Sequence, residues 1–194
     1  MKKLTKYDKI KLVRDYGLNT EENILVTPVT KPKKYLTFLA NLSACSIRTF
    51  KDDNIKTPHY AHIEKLKALD LIPELQREKY NIILATPINP KDCAFAGCIW
   101  HGLETTIVEV ADGPGTVRRV THENAISRRY TLNNFTQENT NDPRINIALR
   151  KIRNIGFSHI IYEFSWYNKK VGHLNENFIC WEMTDDGTGK SIVK

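Results

Sequence analysis

The chain has 194 residues, 41% of them hydrophobic and 26% charged, which suits one compact domain or two small lobes around a sizeable core. No apolar run approaches the roughly 18 to 20 residues that a membrane helix needs, so a membrane-spanning helix is excluded. The net charge of +7 favours polyanionic partners.

Four cysteines (Cys45, Cys93, Cys98 and Cys180) lack the close paired spacing of zinc sites and sit in β-prone apolar runs. They read as reduced core residues, small hydrophobes rather than ligands. The N-terminus MKKLTKYDKI is basic but runs straight into an amphipathic pattern without an apolar signal core. The expected location is the cytoplasm.

In chain order, Thr5 and Asp8 resemble a capping pair, and Ile10, Val13 and Tyr16 recur near helical spacing until Gly17 supplies a stop. A short strand follows from Asn23 to Thr27. Thr30 and Pro32 open a second helix with Tyr35, Phe38, Leu39 and Leu42 as its apolar stripe. ACSIRTF, from Ala44 to Phe50, reads as a strand, and Lys51 to His59 as a polar loop. A third helix is expected over His59 to Leu69, with Ile63, Leu66 and Leu69 inward and Pro73 interrupting beyond it.

Strands then come in quick succession: Asn81 to Thr86, Cys93 to Trp100, Thr105 to Ala111, Thr116 to Thr121 and Ser127 to Leu132. The separators INPKD and ADGPG are turn signals, and this spacing predicts an antiparallel meander. Residues 133 to 141 are Asn-rich and read as a mobile loop. Asp142 caps a helix with Pro143 at its first position, and Gly156 ends it. Helices and antiparallel strands in separate blocks make the fold α+β. The expected lobes are a small one over 1–79 and a larger antiparallel one over 80–194.

The last stretch carries the sharpest chemical signal. Two β-prone segments, Ile160 to Trp166 and Phe178 to Met183, flank a polar turn around Gly172, Asn175 and Asn177. Strict alternation puts Ile160, Tyr162, Phe164 and Trp166 on one face and Ile161, Glu163 and Ser165 on the other. In the second segment it groups Phe178, Cys180, Glu182 and Thr184 against Ile179, Trp181 and Met183. If the segments pair as a hairpin, Glu163 and Glu182 approach one another. Two half-buried carboxylates repel unless a cation lies between them, and a divalent metal shared with substrate phosphates is such a cation. The alternative is that each glutamate pairs with a nearby Lys or Arg.

Four arginines, Arg118, Arg119, Arg128 and Arg129, fall on two expected strands, so one face could hold two of them as bidentate phosphate ligands. Solvated strand edges are the alternative. The histidines lack a third ligand at suitable spacing for zinc, and His122 lies beside the arginine cluster. There is no nucleophile elbow, Walker-type glycine loop or dinucleotide fingerprint.

Three stretches together resemble an ATP-grasp domain without its usual N-terminal substrate domain. Lys11 to Thr27, KLVRDYGLNTEENILVT, resembles the helix, turn and strand that open the family's small lobe. ACSIRTF resembles the strand that ends in a phosphate-contacting Lys, with Arg48 in that place. IYEFSWYNKKVG and FICWEMT resemble the two metal-bearing strands, with Glu163 and Glu182 at the carboxylates and Thr184 where an Asn is expected.

The resemblance implies a two-lobed ATP-grasp-like fold, antiparallel sheets with helices packed on one face, that binds ATP and Mg²⁺ between its lobes. It implies an ATP-dependent ligase or phosphoryl-transfer enzyme working through an acyl phosphate on a carboxylate or other small-molecule substrate. Glu163 and Glu182 would hold the metal, and Arg48 would contact phosphate. Arg118 or Arg129 would steady the phosphates or the acceptor, and Leu84 and Thr86 would border adenine. Arg for Lys at 48 replaces a point cation by a planar fork. The alternative function is a non-catalytic basic module that binds RNA or DNA through the arginine-bearing strands. A homo-oligomer or a partner subunit stays open.

Overall fold

A computed structural model describes residues 4–51, 57–171 and 176–185. It divides into two units, Met1–Tyr7 with Glu21–Asn89, and Asp8–Thr20 with Pro90–Lys194.

The first unit is a four-stranded antiparallel sheet of order β1-β4-β2-β3, built from β1 (Asn23–Val26), β2 (Ala44–Phe50), β3 (His59–Glu64) and β4 (Asn81–Ala85). α2 (Pro32–Leu39) and α3 (Lys65–Arg77) cover one face, burying Tyr35, Leu39, Ala68, Ile72 and Leu75 against Val26, Cys45, Ile47, Ile82 and Leu84. Pro32 starts α2, where a missing N–H costs nothing. β4 lies centrally between β1 and β2, so the first unit's sheet runs past the expected 79/80 boundary.

The helix expected over His59 to Leu69 is a correction. His59–Glu64 pairs with β2 as an edge strand, and only then does α3 begin. Leu66, expected inward, is exposed, while the inner face is Ala68, Ile72 and Leu75. Pro73 sits inside α3 rather than interrupting it: its fixed φ suits a helix, and the buried neighbours Ile72 and Leu75 offset the lost hydrogen bond.

The second unit carries α1 (Lys6–Asp15) for most of its length and a five-stranded antiparallel sheet of order β7-β6-β5-β8-β9. Its strands are β5 (Cys93–His101), β6 (Thr105–Asp112), β7 (Arg128–Asn133), β8 (Ile160–Tyr167) and β9 (Phe178–Asp185). α5 (Pro143–Arg153) lays Ile145, Ala148, Leu149 and Ile152 on one face of this sheet, and Val13 of α1 joins them. Facing them are Phe95, Ile99, Val108, Val110, Tyr162, Phe164 and Phe178. Gly17, at φ 71°, ends α1 in the left-handed conformation that only glycine adopts cheaply.

The Thr116–Thr121 stretch is a second correction. It holds a single helical turn, α4 (Arg118–Thr121), packed on β5 and β6, because ADGPG with its two positive-φ glycines leads into a turn rather than a new strand. The Asn-rich stretch expected to be a mobile loop is held by hydrogen bonds. Asn133 Oδ1 accepts from the amides of Phe135 and Thr136, and Arg153 donates to the Glu138 carbonyl. Gly172 and Asn175 of the expected β8–β9 turn, and residues 52–56 of the polar loop, lie outside the described residues. Asn177 donates from its side chain to the Tyr167 carbonyl at the turn's base.

Candidate functional site: a carboxylate row across the second sheet

β8 and β9 pair antiparallel, and their register sets Glu163 directly opposite Glu182. The alternation expected in β9 is corrected at one point. Glu163 faces Glu182, but the next residue, Phe164, faces Cys180, so Trp181 is an extra residue bulged out of the ladder. Phe178 and Cys180 therefore enter the core before the bulge and Met183 enters it afterwards. Glu182 and Thr184 turn to the other face, beside Glu163. Unbulged, β9 would have buried Glu182 beside Cys180.

The register continues across the sheet. Glu163 faces Cys98 of β5, Cys98 faces Glu109 of β6, and Glu109 faces Arg129 of β7. Arg129, Glu109, Cys98, Glu163 and Glu182 thus form one row across five strands, on the face away from α1 and α5. Arg129 reaches Glu109 at 3.4 Å. Burial first, and then the charges of Glu163, Glu109 and Glu182, push the Cys98 thiol up to about 12. The thiol therefore senses three carboxylates at once and stays protonated at neutral pH. Trp181 lies on this face too, its indole Nε1 donating to Ser165 Oγ at 2.8 Å.

Oxygen donors of this kind suit a hard divalent cation. Among the described residues, no group of three or more His, Cys, Asp and Glu converges on a metal position. Two opposed carboxylates fit magnesium, which keeps several waters and shares its shell with phosphate oxygens, better than a cation that wants an all-protein cage. Glu163 and Glu182 would hold it.

The other expected site residues fall elsewhere. Arg48, on the face of the first sheet away from α2 and α3, is ion-paired at 3.1 Å with Glu21, which is almost fully buried. Leu84 is fully buried on the opposite face, in that unit's core, with its backbone between β1 and β2. The Thr86 amide donates to the Glu22 carbonyl. Arg118, on α4, pairs with Glu123 at 3.7 Å on the surface. Arg119 closes the preceding turn by donating to the carbonyls of Asp112, Gly113 and Pro114.

Arg128 lies on the helix-covered face, bonded to Asp112 and Asp142 and 5.1 Å from the centre of the Phe95 ring. Its burial opposes the charge, but bonds to Asp112, Asp142 and Tyr130 outweigh burial and raise its pKa. The arginines therefore do not converge as the two neighbouring strands expected for them would have brought them. Of the four, Arg129 alone stands in the carboxylate row. Sequence reasoning missed Glu109 and Cys98 as members of that row. The alternation of Ile107, Glu109 and Ala111 against Val108 and Val110 was the available signal.

A cavity of about 480 Å³ lies on the helical side of the second unit, lined by Tyr16, Gly17, Leu18, Lys151, Asn154 and neighbours, on the opposite side of the sheet from the row. No described helix is long and apolar enough to cross a membrane.

No family model matches the sequence, and no curated protein matches it. Solved structures do resemble it in fold. The macrocyclase MdnC from Microcystis aeruginosa MRC, bound with precursor peptide MdnA, aligns at a TM-score of 0.54 and 13% identity, over 94% of this chain and 52% of that one. The VanG D-Ala:D-Ser ligase from Enterococcus faecalis aligns at 0.53 and 17%, over 93% and 52%. An ATP-grasp ligase of Chryseobacterium gregarium, in complex with ADP and a leader and core peptide, aligns at 0.50 and 9%, over 94% and 52%. The fold is ATP-grasp-like. The α+β architecture of two antiparallel sheets with helices is the one expected. The ATP-grasp-like chain spans about half the length of these solved chains.

Proposed function

We propose that this ATP-grasp-like chain binds a magnesium–nucleoside triphosphate and belongs to an ATP-dependent ligase that activates a carboxylate as its acyl phosphate. The observation that carries the reading is the Glu163–Glu182 register, two carboxylates held opposite each other by a bulge on the sheet face away from α1 and α5. Bulges recur next to active sites, where they re-aim a side chain.

Bound magnesium would neutralise charge on the phosphates. Glu163 and Glu182 hold it, and Arg129 steadies phosphate or acceptor oxygens from the far end of the row. Arg48 contacts phosphate with its guanidinium oriented by Glu21. The catalytic contribution of these residues is positioning and charge neutralisation. The nucleic-acid alternative needs arginines gathered on one face of neighbouring strands, and it is disfavoured because Arg118 and Arg119 lie on α4 while Arg128 lies against Phe95 and Asp142, leaving Arg129 apart from them.

The test is thermal unfolding with ATP, ADP or GTP, in magnesium and in chelator. A ligand at about 100 times its dissociation constant adds roughly 2.7 kcal/mol to the folded state. A shift with ATP that needs magnesium supports the reading, and none with any nucleotide removes it.

A further inference from the structure

The carboxylate row has two flanks, and they differ. On one side the next cross-strand row is Ala111, Ala96, Ser165 and Ile179, opposed in register and each at most 1% exposed. On the other side the next row is Thr131, Ile107, Trp100, Ile161 and Thr184, opposed in the same way across all five strands. Every member of this second row stays at least partly exposed. Successive residues on one face of a strand stand about 7 Å apart, so the apolar strip Ile107–Trp100–Ile161 begins about 7 Å from the charged groups.

Trp100 is the centre of that strip, and its ring rests on backbone. A Cβ added to Gly102 would stand 2.6 Å from Trp100 Cη2, and the Gly102 amide donates to the Thr105 carbonyl at 2.9 Å, closing the β5–β6 turn beneath the indole. A flat aromatic surface held in this way, between two branched side chains, receives an apolar group with little further loss of entropy. The neighbouring row is charged. A ligand that lies across both rows is therefore amphipathic, with an ionic end and an apolar body.

We propose that Trp100, with Ile107 and Ile161, is the specificity surface for the carboxylate substrate, an acid that carries an aromatic or branched apolar group within about 7 Å of its carboxyl. The inference rests on the magnesium–nucleotide reading of the row. There the substrate's carboxylate oxygen attacks the γ-phosphorus of the nucleotide. An O–P bond forms to give the acyl phosphate as the bond from that phosphorus to the β,γ-bridging oxygen breaks, and the oxygen leaves on ADP with the electron pair. With its carboxyl at the row, the acid can extend over Trp100 but not over the buried flank of Ala96 and Ser165. Bare carboxylates repel an acid, so its binding should follow that of the cation and nucleotide.

The test is calorimetric titration of the whole chain, in magnesium and a non-hydrolysable ATP analogue, with hydrocinnamate and with acetate. Hydrocinnamate should bind about tenfold or more tightly than acetate, and only once magnesium and nucleotide are present. Trp100→Ala should erase that preference and Trp100→Phe should keep most of it, with nucleotide affinity unchanged in both. A parent without the preference overturns the proposal, and so does a Trp100→Ala chain that retains it. Should Trp100→Ala not fold, Ile161→Ala decides: the preference should shrink, and its full retention overturns the proposal. Loss of nucleotide affinity in Trp100→Ala with the acid preference intact assigns the strip to the nucleobase and also overturns it. Failure of the analogue to bind in magnesium removes the underlying reading and the proposal with it, and shows before any acid is added.

Discussion

Replacing Glu182 with glutamine removes one of two like charges that β8 and β9 hold directly opposite each other. Cross-strand partners in a sheet stand with Cβ atoms about 5 Å apart. At that separation two unit charges repel by about 3 kcal/mol at an effective dielectric constant of 20 and about 0.8 kcal/mol in bulk water. Both side chains are half-buried and partly screened by water, so the repulsion is about 1 kcal/mol. In chelator, Glu182→Gln should therefore unfold about 2–4 °C above the parent, the shift expected for a chain of this size.

With magnesium and saturating ATP the order should reverse. The parent gains roughly 2.7 kcal/mol at 100 times its dissociation constant, while the variant, with one carboxylate left, gains little. The assay is paired thermal unfolding of both proteins in chelator and in magnesium–ATP. A variant that melts below the parent in chelator, or that keeps the full magnesium-dependent gain, refutes the reasoning.

Other perturbations test the supporting structure. Deleting Trp181, the extra residue, leaves Glu182 next after Cys180, still opposite Glu163 and with Met183 still inward, so the second unit should keep its fold and lose only about 1 kcal/mol with the indole's bond to Ser165, read by denaturant unfolding. Asp142 caps α5 and bonds Arg144 and Arg128, so Asp142→Ala should cost about 3 kcal/mol or more. The bonds from Arg144, more than those from Arg128, hold the Asp142 carboxyl well below the usual carboxylate range. Its stabilisation is thus complete above pH about 4 and is lost as the pH falls through the depressed folded value, a slope that Asp142→Asn should flatten in acid titrations of stability.

His101 Nδ1 lies 2.7 Å from Thr106 Oγ1, and Thr106 in turn donates to Asn134. Burial, and then the charge of Arg153, lower the pKa of His101. Its contribution is therefore present above its ordinary pKa of about 6.5 and lost as the pH falls below it, and His101→Gln should remove that loss between pH 7 and 5. Gly97→Ala should cost about 3 kcal/mol or prevent folding, since an added Cβ would strike the Glu109 carbonyl and come within 2.7 Å of a Val110 methyl. Circular dichroism of the purified variant would decide it.

Local signals determined much of this protein. Pro32, Asp142 with Pro143, Gly17 and Gly156 mark helix ends by caps and stops that depend on a few neighbouring residues. The alternating apolar runs of β5, β6 and β8 declared their strands, and the two glutamates stood out because each interrupts an apolar run. What local pattern could not settle was decided by long-range pairing. His59–Glu64 is a strand because β2 offers it an edge, although its own residues suit a helix. Arg118 left the expected arginine face because the turn before it feeds a helical turn packed on β5 and β6. Glu182 joined Glu163 because Trp181 bulges, which depends on how β9 fits β8 and the core beneath them, and a period of two read along one strand carries no trace of it.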